Sequence, residues 1–167
     1  QDAEEVQAAR LAHAAYWQRW LDNFESRSVE DWQQLQTIRP EVHVAAEWLL
    51  ADWERSPALA AELALAISSA FQSYTIPTWE TWLRAGMAAA QAEQQRNTVR
   101  RLQRGLAEHY QMHGELERAE HLLRESLSTA QEILQTAEAD DVCEMGQRGV
   151  AVTQSSLADL LSTRGQY

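Results

Sequence analysis

Lysine is absent from this chain, and all 14 of its basic residues are Arg. No phosphate-binding loop of the Gly-rich type that ends in Lys-Ser/Thr can therefore be encoded here. Cysteine is nearly absent: Cys143 stands alone, which excludes an internal disulfide and any Cys-rich zinc cluster. Breakers are scarce as well. Three Pro and six Gly in 167 residues, in a background of Ala, Leu, Gln and Glu, favour an almost wholly helical chain. No apolar run reaches the roughly 18 residues that a membrane-spanning helix needs, because Asp, Glu or Arg interrupts every candidate. Positive charge is in deficit too: 25 acidic residues against 14 basic ones leave a formal charge of −11, which argues against a general nucleic-acid surface. No basic leader precedes an apolar stretch near Gln1, so the expected location is cytoplasmic, without membrane or nucleic-acid partners. A chain of this length buries about two-thirds of its extended surface, enough for a core without disulfides.

What is present is helical periodicity. All seven Trp lie in the first half, at 17, 20, 32, 48, 53, 79 and 82. Residues 3–24 contain no breaker, and Val6, Ala9, Leu11, Tyr16, Trp17, Trp20, Leu21 and Phe24 recur at steps of three and four, which predicts an amphipathic helix. Ser28 with Asp31 suits the start of a short helix carrying Trp32, Leu35 and Ile38. Pro40, compatible with a first helical turn, is expected to open a second long helix with Val42, Ala45, Trp48 and Leu49. Ser56-Pro57 reads as an N-cap followed by N1, with Leu63, Ile67 and Phe71 beyond it, and Thr75, Ile76 and Pro77 as the following turn. A helix from Thr78 to about Gln94 carries Trp79, Trp82 and Leu83, with one of the two Trp expected to be partly exposed. Asn97 can cap the next helix, which stops near Gly114. The stripe of Leu116, Ala119, Leu122, Leu123, Leu127, Ala130 and Ile133 forms another. The acidic residues 138–149, with two Gly, read as a linker, and a final helix spans 150–161.

Within this series, Leu106, Ala107, Tyr110, Gly114, Ala119, Leu123 and Ser126 form a pattern that resembles a tetratricopeptide repeat. Small Ala107 and Ala119 would let two helices approach closely while Tyr110 and Leu123 fill the groove between them. Leu157, Ala158, Leu161 and Gly165 match Leu106, Ala107, Tyr110 and Gly114 one for one, and a degenerate copy occupies Ile67, Ser68, Phe71 and Thr75. The turns are spaced more widely than the ideal period of about 34 residues. The resemblance implies an all-α fold, a right-handed superhelix of antiparallel helix pairs. The expected organisation is one helical-repeat domain over 1–167: an N-terminal helix pair (1–55), a degenerate repeat (56–96), the best repeat (97–137), the linker (138–149) and a truncated repeat (150–167). Because the last copy stops halfway, the chain is expected to be a fragment.

A wider resemblance runs through His13, Tyr16, Arg39 to Glu41, Ala45-Ala46-Glu47-Trp48, Phe71, Trp82-Leu83 and the repeat at Leu106. This order is similar to the helical region that follows the nucleotide-binding and winged-helix parts of bacterial signal-transducing NTPases of the STAND (NB-ARC-type) class, including large transcriptional regulators. It departs from that pattern at Pro40, Val42 and His43. The resemblance implies an upstream nucleotide-binding module in the parent chain and a role here in sensing a partner or effector. It also implies a packing role for His13.

Repeat geometry would turn Arg101, Arg104, Glu108 and Met112 toward the concave surface, where Arg101 and Arg104 could grip a carboxylate or phosphate through forked hydrogen bonds. Other constellations are poorer. His109 and His113 are four apart, but the Glu of a His-Glu-x-x-His zinc site is missing. Adjacent carboxylates such as Glu4-Glu5, Glu30-Asp31 and Asp140-Asp141 do not share a helix face. Cys143 has no thiolate-stabilising neighbour in sequence. The expectation is a non-catalytic protein-interaction or effector-sensing segment of a larger regulatory ATPase, needing no cofactor or metal. Its partner would be a protein, a peptide or a small effector. The alternative is a stand-alone adaptor that holds a peptide in its groove. The open face of the final helix is expected to favour self-association.

Overall fold

The computed structural model describes residues 2–24, 28–71, 78–136 and 140–165. All regular structure among them is helical: α1 (Asp2–Asp22), α2 (Val29–Leu50), a single 3-10 turn (Trp53–Arg55), α3 (Pro57–Ala70), α4 (Trp79–Ala92), α5 (Arg96–Met112), α6 (Leu116–Gln135) and α7 (Asp140–Thr163). The all-α expectation holds at that level. No helix among the described residues is long and apolar enough to cross a membrane. The chain divides into two compact units, Gln1–Glu93 and Gln94–Tyr167.

In the first unit α3 is the centre, packing against α1 and α4. Its sequence is apolar over most of its circumference, as a largely buried helix requires: Ala60, Ala61, Leu63, Ala64, Ala66 and Ile67 are all buried, while Glu62 and Ser69 stay at the surface. Pro57 opens it at N1 as expected, but the Ser56 side chain makes no capping bond. Trp79 and Trp82 of α4 are both buried, so the partial exposure expected of one of them is not seen. In α1 only the C-terminal half is covered, through Ala14, Trp17 and Leu21; Val6, expected on the packed face, is exposed.

One boundary is corrected outright. The short helix after Ser28 and the long helix from Pro40 are one element, α2, with Pro40 inside it. Ser28 and Asp31 close a capping box at its start: Asp31 N–H donates to the Ser28 hydroxyl at 3.2 Å and Ser28 N–H to Asp31 Oδ2 at 2.8 Å. A proline within a helix costs about 3 kcal/mol. Burial of Leu35 before it, and of Val42, Ala46 and Leu49 after it, gives one continuous stripe that offsets this.

In the second unit α5, α6 and α7 pack in succession, α5 on α6 and α6 on α7. The turn between α5 and α6 is a Schellman motif. Gly114 takes φ +76°, Glu115 N–H donates to Tyr110 O at 2.9 Å and Gly114 N–H to Gln111 O at 3.1 Å. Gly165 repeats the left-handed conformation after α7 at φ +68°. Gln94, between α4 and α5, also lies there at φ 56°, a non-glycine αL residue that no sequence signal marked. The expected linker is the second correction. From Asp140 onward it is the N-terminal half of α7, and Gly146 and Gly149 are buried inside that helix. A Cβ on Gly146 would sit 3.0 Å from Leu134 Cα of α6, so this glycine serves close helix contact. Of the residues expected to repeat the α5 pattern in α7, Leu157 and Leu161 are half-buried and Ala158 is exposed. Thr153 and Leu160 fill the contact with α6 instead. The predicted turn at Thr75, Ile76 and Pro77 lies outside the described residues.

Candidate functional site

On α5, Asn97, Arg100, Arg101 and Arg104 follow one another at helical steps of three, one and three, so all four share a face. On α7, Asp141, Glu144, Met145, Arg148, Gly149 and Val152 do the same. The second unit brings these two faces together around a cleft of about 500 Å³. Ser126 of α6 ties the walls: its hydroxyl donates to Arg100 O at 3.2 Å and meets the Thr153 hydroxyl at 3.4 Å. Thr153 in turn donates to Gly149 O at 2.8 Å.

Arg100 is the unusual member, since it is only 6 % exposed. Asn97 Oδ1 accepts from both its Nε (3.1 Å) and its Nη2 (2.8 Å), which fixes the plane of the guanidinium. That plane lies against α7 where Gly149 leaves room; a Cβ there would stand 3.0 Å from Arg100 Cζ. Nη1 has no hydrogen-bond partner among the described residues. Burial, and then the charges of Arg104 and Arg101, pull the Arg100 guanidinium below its ordinary pKa. Arg104 sits 3.4 Å from Glu108 Oε1, close enough for electrostatic attraction, yet its Nε makes no hydrogen bond among the described residues. The Glu108 carboxyl is pushed up by burial, with Arg104 acting in the opposite direction. Across the cleft, Arg148 pairs with Glu144 at 2.8 Å.

Of the four residues expected on the ligand face, Arg101 and Arg104 line the cleft. Glu108 stands behind Arg104, and Met112, half-exposed at the end of α5, is not part of the lining. The α7 wall was missed because residues 138–149 read as a linker. The spacing Asn97-x-x-Arg100 and the helical pair Gly146-x-x-Gly149 were the available signals. The repeat residues Leu106, Ala107, Tyr110, Ala119 and Leu123 are all buried between α5 and α6. Tyr110 also accepts a hydrogen bond from Arg118, whose guanidinium carbon lies 3.9 Å from the ring centroid.

The remaining candidates have structural partners. His113 Nδ1 lies 2.8 Å from His109 O, and no group of three or more His, Cys, Asp or Glu able to hold a metal occurs among the described residues. His13 accepts a hydrogen bond from Trp17 Nε1 at 2.9 Å, one turn along α1, and stands 3.7 Å from Glu41 of α2. Cys143 is half-buried, with Gln147 Nε2 3.6 Å from its sulfur. A wider cleft of about 690 Å³ in the first unit runs along Tyr16, Trp20 and Phe24, with Trp20 stacked on Phe24 at 4.9 Å. Arg19, Asn23 and Asp31 reach it from its rim, and none of these is a buried polar group. Neither a protein-family model, nor a curated protein, nor a solved structure matches the chain.

Proposed function

We propose that this chain is a non-catalytic interaction segment that receives a protein, a peptide or a small effector in the cleft between α5 and α7. The observation that carries the reading is the placement of Arg100, Arg101 and Arg104 on one wall and Arg148 on the other. Alternate helices of a helical array present their side chains to the same groove, and such grooves bind extended or compact ligands. In this proposal the helices continue as a right-handed tetratricopeptide-like superhelix, and the segment is the sensing region of a larger regulatory ATPase. The order of residues from His13 to Leu106 supports that larger setting. A stand-alone adaptor is the second reading, favoured by the same groove.

Two experiments test this. A displayed library of random peptides, with and without acidic residues, is selected against the chain and against the Arg101→Ala/Arg104→Ala double variant. Acidic peptides are expected to be enriched on the parent and about tenfold weaker on the variant, which loses two charge-assisted contacts. Enrichment of the same peptides on both proteins would remove the cleft from the reading. The intact mass of the polypeptide made by its native cell separates the settings: an attached P-loop module favours the regulatory ATPase, and a small polypeptide favours the adaptor.

A further inference from the structure

We propose that Arg100 anchors a specific site for a compact oxyanion, a carboxylate or a phosphoryl group, and that Gly149 is the glycine that admits it. The inference rests on the cleft being a binding surface and names the chemistry it selects. A guanidinium withdrawn from water keeps its charge at a large free-energy cost unless it is paired and hydrogen-bonded. Arg100 has only the neutral amide oxygen of Asn97 among its hydrogen-bond acceptors in the described residues, and its neighbours Arg101 and Arg104 repel it. An amide oxygen orients a guanidinium without neutralising it. Around this cleft four guanidinium groups meet three carboxylates, Asp141 and Glu144 in the lining and Glu108 behind Arg104, in a chain whose overall charge is −11. Positive potential concentrated in a cleft of an acidic protein selects an anion.

The same observations limit its size. Asp141 and Glu144 stand on the α7 wall, so a polyanion laid along the groove would meet like charge, whereas a single oxyanion on the α5 wall would not. Arg100 Nη1 lacks a hydrogen-bond acceptor among the described residues, and a single oxyanion can supply one. Gly149 matters because its missing Cβ is what lets the Arg100 guanidinium lie flat against α7. An added methyl group would first meet the end of the Arg100 side chain, so it should displace the guanidinium while α7 keeps its fold.

The test is calorimetric titration of the whole chain at constant ionic strength with inorganic phosphate, with succinate and with a capped acidic hexapeptide carrying a single Asp. Chloride and a capped neutral hexapeptide serve as controls. Saturable binding of at least one anionic probe is expected, weakened about tenfold or more in both Arg100→Met and Gly149→Ala and unchanged in Arg84→Gln, which alters an exposed arginine of the first unit. Phosphate or succinate binding points to a free effector, and binding of the acidic peptide alone points to a peptide carboxylate. Should Arg100→Met lose helicity, Gly149→Ala with retained circular dichroism decides the matter. Equal binding by the parent and a folded Gly149→Ala variant would overturn the proposal, as would the absence of saturable binding of all three anions. If peptides still depend on Arg101 and Arg104 while Arg100→Met and Gly149→Ala change nothing, the anchor falls and the interaction surface stands.

Discussion

The first unit closes its interior almost entirely with apolar side chains, large aromatics set against a row of alanines, whereas the second ties its three helices together with buried polar groups. Around α3 the buried set includes Ala60, Ala61, Leu63, Ala64, Ala66 and Ile67, with Trp17, Phe71, Trp79 and Trp82 buried beside them; among the described residues of this unit the buried polar ones are Gln18 and Ser68. Around α6 the buried set includes Arg100, Gln103, Glu120, Ser126 and Thr153. Glu120 is held by Arg164 from α7's C-terminal end and by Arg124 at 2.5 Å. Hydrophobic contact is non-directional and tolerates sliding. Buried hydrogen bonds are directional and costly to leave unmade, so they fix the register of helices. A register held this way is what keeps the α5 and α7 faces opposed across a cleft.

The largest test of this contrast uses the tryptophans, which all lie in the first unit. Leu63→Ala and Leu123→Ala each remove a fully buried side chain, and each should cost about 2–5 kcal/mol. In urea unfolding, Leu63→Ala should lower the midpoint seen by tryptophan fluorescence. Leu123→Ala should lower that seen by far-ultraviolet ellipticity while leaving the fluorescence midpoint in place. An equal fluorescence shift for both would mean that the units unfold together.

Next in size is a comparison of two glycines on α7. Gly146→Ala forces a methyl group to 3.0 Å from the backbone of Leu134, so α6 and α7 must move apart at a cost of about 1–3 kcal/mol. Gly149→Ala meets the Arg100 guanidinium first; any loss there is smaller, offset by the better helix propensity of Ala. Equal destabilisation by the two, measured by urea titration, would refute the distinction between a packing glycine and a ligand-site glycine.

The smallest effect concerns pH. Burial raises the Glu108 pKa in the fold, so the native state binds this proton more tightly than the unfolded chain does. Ionised Glu108 therefore costs stability above its folded pKa, and the cost disappears as pH falls toward the ordinary Glu value. Glu108→Gln should accordingly gain on the parent at neutral pH and lose that advantage as the solution is acidified, a trend that stability curves between about pH 4 and 7 would show. A pH-independent difference would mean that attraction to Arg104 cancels burial.

Much of the helical framework is legible in local chemistry. Ser28 with Asp31 marks a helix start, and Gly114 and Gly165 mark helix ends, because capping depends on residues within one turn. The apolar stripe of α6 is equally plain. Pro40 and the pair Gly146 and Gly149 were misread for one shared reason. Proline and glycine signal a break in an isolated helix, and here both are held inside helices by contacts with distant elements. The stripe through Leu35 and Val42 sustains α2, and contact with Leu134 sustains α7. Val6 erred in the opposite direction, since its periodicity is helical but no described element covers it.

By itself, then, the order of residues determined an acidic all-helical chain and the starts and ends of several of its helices, because propensity, periodicity and capping act over one or two turns. It also marked Arg101 and Arg104 as a basic pair. Tertiary structure alone decided that Arg100 would be the buried one and that Gly149 would face it from 49 positions along the chain. Burial of a charge and opposition of two helix faces are properties of where helices pack, which no local pattern specifies.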